Sequence, residues 1–535
     1  MKGNQRISGE MKMKLLVLVL LAPVLYAQNG LNPSLFERLE WRSVGPASMG
    51  GRITDVEGIP GNPALVYVAS ASGGLFKTVN GGMTWTPIFD HQSTISIGDI
   101  AVDPHNPDVV WVGTGEANAR NSVSFGDGVY KTLDGGKTWR NLGLPDTRHI
   151  SRIVINPLNT NIVYVAALGH NTGPNEERGV FMTTDGGETW KKVLYIDAEH
   201  GCADMDIDPN NPNIVYAAMW RFDRKPWRFL SGSEKTGVFR STDGGRTWSR
   251  LTTGLSKNFG RIGVRVAPSN SNVVYVVAES NDGTLFRSDD RGEHFHVMTK
   301  NPAVVGRGLY YAHVTVDPAD ENRVYSIGMQ LMTTIDAGRT WRRIANGIHG
   351  DYHTVWVDPK NPNRIWIGED GGIAVSYDRG ENWEAVLNIP LGQFYQIHAD
   401  SRSPFYYIQG GLQDNGTWSG PSRTHGGGIV NGDWRNISGG DGFHVINHPD
   451  QPEIFLSESQ GGGIVRTDWR TREQQDVSPQ PKRNDGGPVN ELKYRFNWNA
   501  PIVASPHDVF RKQRRVQDHR FRENMDGDQP GSDHQ

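Results

Sequence analysis

The chain has a single cysteine, Cys202, in 535 residues, which excludes an internal disulfide framework and any multi-cysteine metal site. Acidic and basic side chains nearly balance, 59 against 55, for a formal net charge of −4. No basic run is interleaved with aromatics in the part expected to fold, so the footprint of a nucleic-acid partner is missing. Long apolar runs are scarce as well. The clearest, Leu15 to Leu25, follows Lys12 and Lys14 and precedes Tyr26-Ala27. It is too short to span a bilayer comfortably and reads as a secretory signal over residues 1–27, cleaved after Ala27. No later segment is suited to crossing a membrane, and the expected location is secreted or periplasmic. No cofactor and no metal are expected, and Cys202 reads as a small buried residue of an inner strand.

Turn formers, by contrast, are abundant: 64 glycines and 30 prolines, as turn-dense β architectures require. Seven of the glycines mark one pattern, Ser/Thr-x-Asp/Asn-x-Gly-x-x-Trp/Phe. Its seven copies begin at Thr78, Thr132, Thr183, Ser241, Ser288, Thr334 and Ser376 and end on Trp85, Trp139, Trp190, Trp248, Phe295, Trp341 and Trp383, with 42 to 58 residues between successive aromatics. That period is the length of a four-stranded propeller blade. Asp or Asn accepts hydrogen bonds from backbone a few residues on, Gly supplies a positive φ, and the aromatic opens the next strand with a large apolar surface. Each copy is a hairpin clasp.

Upstream of the clasps runs a second repeated element, apolar-x-apolar, then Asp-Pro or a near variant, then a β-branched and aromatic run, as at 100–112, 153–165, 205–216, 314–325 and 355–367. It predicts two strands joined by a loop, and with the clasp hairpin it makes four strands per repeat. The element recurs near 395–408 and 444–456 and begins again at Ala500-Pro501-Ile502-Val503. About nine units are therefore expected, with a tenth started. The fold class is all-β, a propeller of four-stranded blades. Residues 38–392 form a first ring of seven, 393–508 part of a second propeller, and 509–535, rich in Arg, Asp, His and Gln, a disordered tail. A single sortilin-like ring of nine or ten blades is the alternative.

The clasps resemble the Asp-box, or bacterial neuraminidase repeat. Their density is similar to that of the sortilin N-terminal propeller and of the two-propeller xyloglucan-cleaving glycoside hydrolases, over about residues 38–506. More specific stretches, Trp41-Arg42-Ser43-Val44-Gly45-Pro46 through Gly50-Gly51-Arg52-Ile53, Gly113-Thr114-Gly115-Glu116-Ala117-Asn118, Gly410-Gly411-Leu412-Gln413-Asp414-Asn415-Gly416 and Gly439-Gly440-Asp441-Gly442-Phe443, resemble large exported bacterial proteins often labelled glycosyl hydrolases. The sialidase resemblance implies an arginine triad, for which the Arg52 region supplies a first member and no credible set of others is found. The xyloglucan-cleaving enzymes imply a catalytic Asp in the first blade just before a Gly-Gly pair. The matching stretch here, Val68 to Gly74, holds no carboxylate.

Glycoside hydrolysis needs two carboxyl groups about 5 to 9.5 Å apart. Glu116, Glu369, Asp370, Asp414 and Asp441 sit in the Gly-rich strand ends, and Glu369 and Asp414 are the candidate catalytic pair; each acid also reads as a turn former beside Gly. A second candidate is the polar ring on the innermost strands, Asp55, Asp99, Arg152, Asp204, Gly263, His313, Thr354, Gln396 and His444, as a ligand site or as satisfied ion pairs in a wet channel. A third is the aromatic and basic insertion around Trp220 and Trp227, expected as an exposed binding surface or as a contact with a neighbouring blade. The candidate ligand-binding residues are thus Arg52, Glu116, Arg152, Asp204, Trp220, Trp227, His313 and Asp441. The partners they suit are protein, peptide or carbohydrate. Three function classes follow: a binding propeller, a glycoside hydrolase, or a structural assembly module.

Overall fold

Glycine-punctuated runs of β-branched and aromatic residues form nine four-stranded antiparallel sheets in chain order, spanning 53–87, 97–141, 150–194, 200–250, 262–299, 313–343, 352–386, 394–438 and 442–476. The computed structural model describes residues 42–503 apart from 46, 121–122, 226, 481–490 and 492. The expected signal at 1–27 and tail at 509–535 lie outside the described residues. Of the expected tenth unit, 500–503 carry no strand, and the rest also falls outside. In every blade, strands pair in sequence order from the innermost outward; in blade 3, Ile153 faces Val165, which faces Phe181. Blade 4 carries one extra strand, Arg228–Ser231, paired on its long second strand Val215–Lys225.

Each clasp closes the outer hairpin in the same way. In blade 3 the buried Thr183 hydroxyl accepts from the Gly187 N–H at 2.9 Å and donates to Asp185 Oδ1 at 2.7 Å, while Asp185 Oδ1 accepts from the Thr189 N–H at 2.9 Å. Gly187 has φ +102°, and a Cβ there would press on Leu142 at 2.5 Å, so the position needs glycine. In blades 2 and 3 the aromatic that follows reaches back to the previous blade, Trp139 Nε1 donating to Ile88 O at 2.7 Å and Trp190 Nε1 to Leu142 O at 2.8 Å, whereas in blades 4, 6 and 7 the indole N–H donates to the clasp glycine's own carbonyl.

The first seven blades close on themselves. Consecutive innermost strands from blade 1 to blade 7 lie side by side, and that of blade 7 meets that of blade 1. One apolar cluster joins Ile53, Val66, Val68 and Phe76 of blade 1 to Trp366, Ile373 and Val375 of blade 7, and Trp85 packs edge-on against Trp366 at 6.4 Å between ring centroids. The segment Ala47–Gly50 runs parallel to Pro390–Gly392 and pairs with it, locking the ends of the ring. Blade 7 therefore abuts blade 1, and the alternative of one continuous ring of nine or ten does not hold. Blades 8 and 9 pack on each other through their inner strands. Cys202 is fully buried in the innermost strand of blade 4, as expected.

Replacing the clasp hydroxyl by a methyl group strands a buried glycine N–H. Thr183→Val is expected to lower stability by about 1–3 kcal/mol, measured by chemical denaturation, and a smaller loss is expected from Asp185→Ala, whose carboxylate is solvent-exposed. Equal stability of Thr183→Val and the parent would show that the hydroxyl is not what holds the hairpin.

Candidate functional site at the ring mouth

Innermost strands start, and second strands end, on one rim of the ring, so the loops between blades and the turns between second and third strands gather there. Arg52 stands just before the innermost strand of blade 1, Glu116 just after the second strand of blade 2, and Asp370 in the turn after Ile365–Glu369 of blade 7. Asp414 occupies the equivalent turn of blade 8, between Tyr407–Leu412 and Thr417–Pro421, and Asp441 precedes Gly442–Asn447 of blade 9. These residues, far apart in sequence, meet.

Arg52 is at the centre and 1% exposed. Its Nε donates to Asp370 Oδ1 at 2.7 Å and its Nη2 to Asp370 Oδ2 at 3.2 Å, a two-pronged carboxylate contact, while Nη1 reaches Glu116 Oε1 at 3.0 Å. Asp414 Oδ2 lies 3.8 Å from Nη2. Asp370 is further held by the Tyr310 hydroxyl at 3.2 Å and by His353 Nε2 at 2.7 Å, and His353 Nδ1 is 3.1 Å from the Asn118 amide. Asn415 Nδ2 donates to the Asp370 carbonyl at 3.0 Å, and the Asp414 N–H to Asp441 Oδ1 at 2.9 Å. A guanidinium taken out of water needs such company, because desolvation is compensated only by well-aligned partners.

One cation among several acids splits their protonation behaviour. Burial works against ionised Asp370, yet Arg52 and His353 hold its carboxyl below the usual carboxylate range. Asp414 hydrogen-bonds to Asp370 and moves the other way: burial, then the charges of Asp370 and Asp441, push it up to about 8. Burial lifts Glu116 to about 7 against the pull of Arg52, and Asp441 is also raised, first by burial. Glu369 is raised to about 7 by burial, while His349, with Nδ1 3.6 Å from Glu369 Oε2, offsets part of the shift. The Glu369 side chain also accepts from the Gly371 N–H. His349 Nε2 lies 3.4 Å from the Asp414 main-chain carbonyl, so His349 sits between the Glu369 carboxyl and the backbone of the Asp414 turn.

Arg52, Glu116, Asp414 and Asp441 thus come together, with Glu369 joined through His349. Arg152, Asp204 and His313 do not join them; they lie deeper, on the channel wall. Each aspartate there spans to the next blade. Asp55 accepts from the Ile100 N–H at 3.2 Å, Asp99 from the Ile153 N–H at 2.6 Å, and Asp204 from the Val264 N–H at 3.1 Å. Arg152 lies between Asp99 at 3.1 Å and Asp204 at 3.4 Å, Arg265 reaches Asp204 at 2.7 Å, and His313 Nδ1 is 3.7 Å from it. In most blades a β-bulge sits just upstream, between Ile53 and Asp55, Ile97 and Asp99, Ile150 and Arg152, and Cys202 and Asp204. The bulge turns the polar side chain toward the neighbouring blade.

The exposed reading of Trp220 does not hold, whereas the alternative, contact with a neighbouring blade, does: it is fully buried against blade 5, stacked on Phe222 at 4.8 Å with the Arg261 guanidinium 5.3 Å over its ring. Trp227, at the turn of the inserted hairpin, is 81% exposed. Gln396 and His444 line a cavity of about 390 Å³ between the inner strands of blades 8 and 9, with His398, Asn447 and Val503.

Sequence reasoning passed over Tyr310, His353, His349, Arg120 and Tyr395. Arg120 extends to the Tyr310 hydroxyl at 3.4 Å and the Tyr395 hydroxyl at 3.3 Å, and Tyr395 stacks on Phe443 at 4.6 Å. Their common signal was position, each sitting at or beside the rim end of an innermost or second strand.

Comparison with known proteins agrees with the repeat reading. A family model described as BNR/Asp-box repeat matches residues 239–250. The chain carries Asp-box repeats. It is 24% identical over 374 residues to a xyloglucanase of Hypocrea jecorina, covering 61% of this chain and 42% of that protein. To a xyloglucanase of Paenibacillus sp it is 24% identical over 238 residues, covering 40% and 22%. A solved structure of a GH74 enzyme from Niastella koreensis aligns at 18% identity and a TM-score of 0.35, covering 80% of this chain and 69% of that one. The chain is distantly similar to xyloglucanases and spans less than half the length of the curated relatives it matches. Among the described residues, no helix is long and apolar enough to cross a membrane.

The raised carboxyls set a pH dependence. A group whose folded-state pKa lies above its unfolded value contributes stability that is present below the unfolded value and lost as pH rises through the folded one. Asp414, near 8, and Glu116 and Glu369, near 7, therefore weaken the fold between about pH 4 and pH 8. Asp414→Asn keeps a permanent donor toward Asp370 and should melt above the parent at pH 8.5 while matching it at pH 5. Arg52→Ala should cost about 3–5 kcal/mol, the scale for removing one partner of a buried ion pair.

Proposed function

We propose that the protein is an exported carbohydrate-binding propeller whose ligand sits at the ring mouth. In this reading residues 38–392 are the first propeller and 393–508 part of a second. The observation that carries it is the layering of the mouth. Arg52 and Asp370 are buried and fixed, whereas Asp414, His349, Arg120 and Tyr395 are only partly buried above them. Tyr395, stacked on Phe443, offers the aromatic surface that sugar rings pack on, and the surrounding amide, imidazole and carboxyl groups offer hydrogen bonds to hydroxyls. The distant similarity to xyloglucanases supports a glycan over a peptide as ligand.

A second reading is hydrolysis, favoured by one observation: the raised carboxyls Asp414 and Glu369 belong to turns that meet at His349, through the Glu369 carboxyl at 3.6 Å and the Asp414 main-chain carbonyl at 3.4 Å. Asp414 would protonate the leaving glycosidic oxygen, and Glu369, once ionised, would activate water or attack the sugar. The missing first-blade carboxylate between Val68 and Gly74 weighs against the mechanism that the xyloglucanase resemblance implies.

A glycan array followed by calorimetric titration tests both. Binding of plant-type β-glucan oligosaccharides is expected, lost in Tyr395→Ala and weakened in Asp414→Asn. A reducing-sugar assay on the same ligands decides the second reading; if turnover appears, Asp414→Asn and Glu369→Gln should each cut it by at least ~10²-fold. Absence of any glycan binding would overturn the proposal.

A further inference from the structure

Blade 4 holds a cluster that the ring mouth does not use. His200 begins its innermost strand and is 2% exposed. His200 Nδ1 lies 2.6 Å from Asp197 Oδ1, and His200 Nε2 lies 2.7 Å from Ser233 Oγ. Asp197 is in the loop from blade 3, and Ser233 follows the inserted strand Arg228–Ser231. The carboxylate on Nδ1 fixes the tautomer with its proton there, leaving Nε2 to accept the Ser233 hydroxyl proton. Asp197 is itself set from two further sides, by the Glu199 N–H at 3.0 Å and Lys235 Nζ at 2.8 Å. The Lys235 N–H donates to Ser233 Oγ at 3.1 Å, which fixes the position of the hydroxyl beside the imidazole.

We propose that Ser233, His200 and Asp197 form a nucleophilic relay that cleaves carboxylic esters. Ser233 is part-exposed, so an acyl group can reach its hydroxyl, while His200 is enclosed and cannot turn away. Nucleophile, base and orienting carboxylate within hydrogen-bond reach are the geometric criterion for such a relay, whatever the chain order. As Ser233 Oγ bonds to the acyl carbon, its proton passes to His200 Nε2. That proton leaves on the alcohol when the ester C–O bond breaks. Water then attacks the acyl-serine, again giving its proton to His200, and the carboxylic acid departs as Ser233 regains its hydrogen. Asp197 is a positioning residue. The insertion that carries Ser233 also bears Trp227, an exposed apolar surface at the turn of the same hairpin.

The test is a fluorophosphonate probe on the full chain, read by intact mass and peptide mapping, with p-nitrophenyl acetate hydrolysis alongside. Stoichiometric labelling at Ser233 is expected, abolished in Ser233→Ala and slowed at least ~10²-fold in His200→Gln, the scale of general-base assistance. Asp197→Glu should recover part of the rate that Asp197→Ala loses, at unchanged melting temperature. A folded parent protein that leaves Ser233 unlabelled overturns the relay, as does labelling indifferent to His200→Gln. Because the parent is labelled directly, a variant that fails to fold does not rescue the idea.

Discussion

A guanidinium with 1% of its surface exposed must be neutralised or it unfolds what surrounds it, and the rim of this propeller is arranged around that demand. Arg52 takes its charge partners from blades 2 and 7, with the Asp414 turn of blade 8 within 3.8 Å. No single blade could satisfy it. The cation therefore works as a register pin. It is met fully only when blade 7 has come round to blade 1 and the blade 8 turn has settled over the joint. Apolar packing of Trp366 against Trp85 supplies the attraction across the same seam, but apolar contact is tolerant of small slides, whereas a two-pronged carboxylate contact is not.

Pinning four acids around one cation has a cost that shows as divided protonation. Only Asp370 is held down by Arg52; Glu116 shares the cation but burial outweighs its pull, and Asp414 and Asp441 rise chiefly through burial. The channel wall answers the same problem differently. There, Asp55, Asp99 and Asp204 spend their oxygens on backbone N–H groups of the next blade, and Arg152 and Arg265 cover the remaining charge. Asp204 stays below its ordinary range although burial opposes it, helped by His313 and Arg152. Burial still raises Asp55 and Asp99 above their ordinary range, so what sets the wall apart is that its acceptors are already filled by backbone N–H groups of the next blade.

What the sequence made legible follows the distance over which each interaction acts. The clasp closes within eight residues, from Thr183 to Trp190, so its chemistry is visible in the pattern itself, and blade length and class follow from its period. The ring positions Asp55, Asp99, Arg152 and Asp204 were also found by counting, since each blade repeats the same strand and bulge. Arg52 and Asp370 are 318 residues apart, and no local pattern states that they meet. Trp220 misled for a related reason. Its neighbours Arg221, Phe222 and Trp227 look like a surface cluster, but strand alternation turns Trp220 and Phe222 inward against blade 5 while Arg221 and Asp223 lie on the opposite face.

The insertion of blade 4 illustrates how a rigid repeat acquires new chemistry. Lengthening the second strand to Lys225 and folding Arg228–Ser231 back onto it leaves the four-stranded sheet and its clasp intact, since Phe239 still pairs with Arg250. The return path, however, drops Ser233 beside His200, a residue fixed at the start of an innermost strand. The blade supplies immobility and the insertion supplies reach. The same division operates at the ring mouth, where turns of blades 7 and 8 deliver Asp370 and Asp414 to an arginine that the closed ring holds still. In both places the polar groups come from loops and the precision from the sheets behind them.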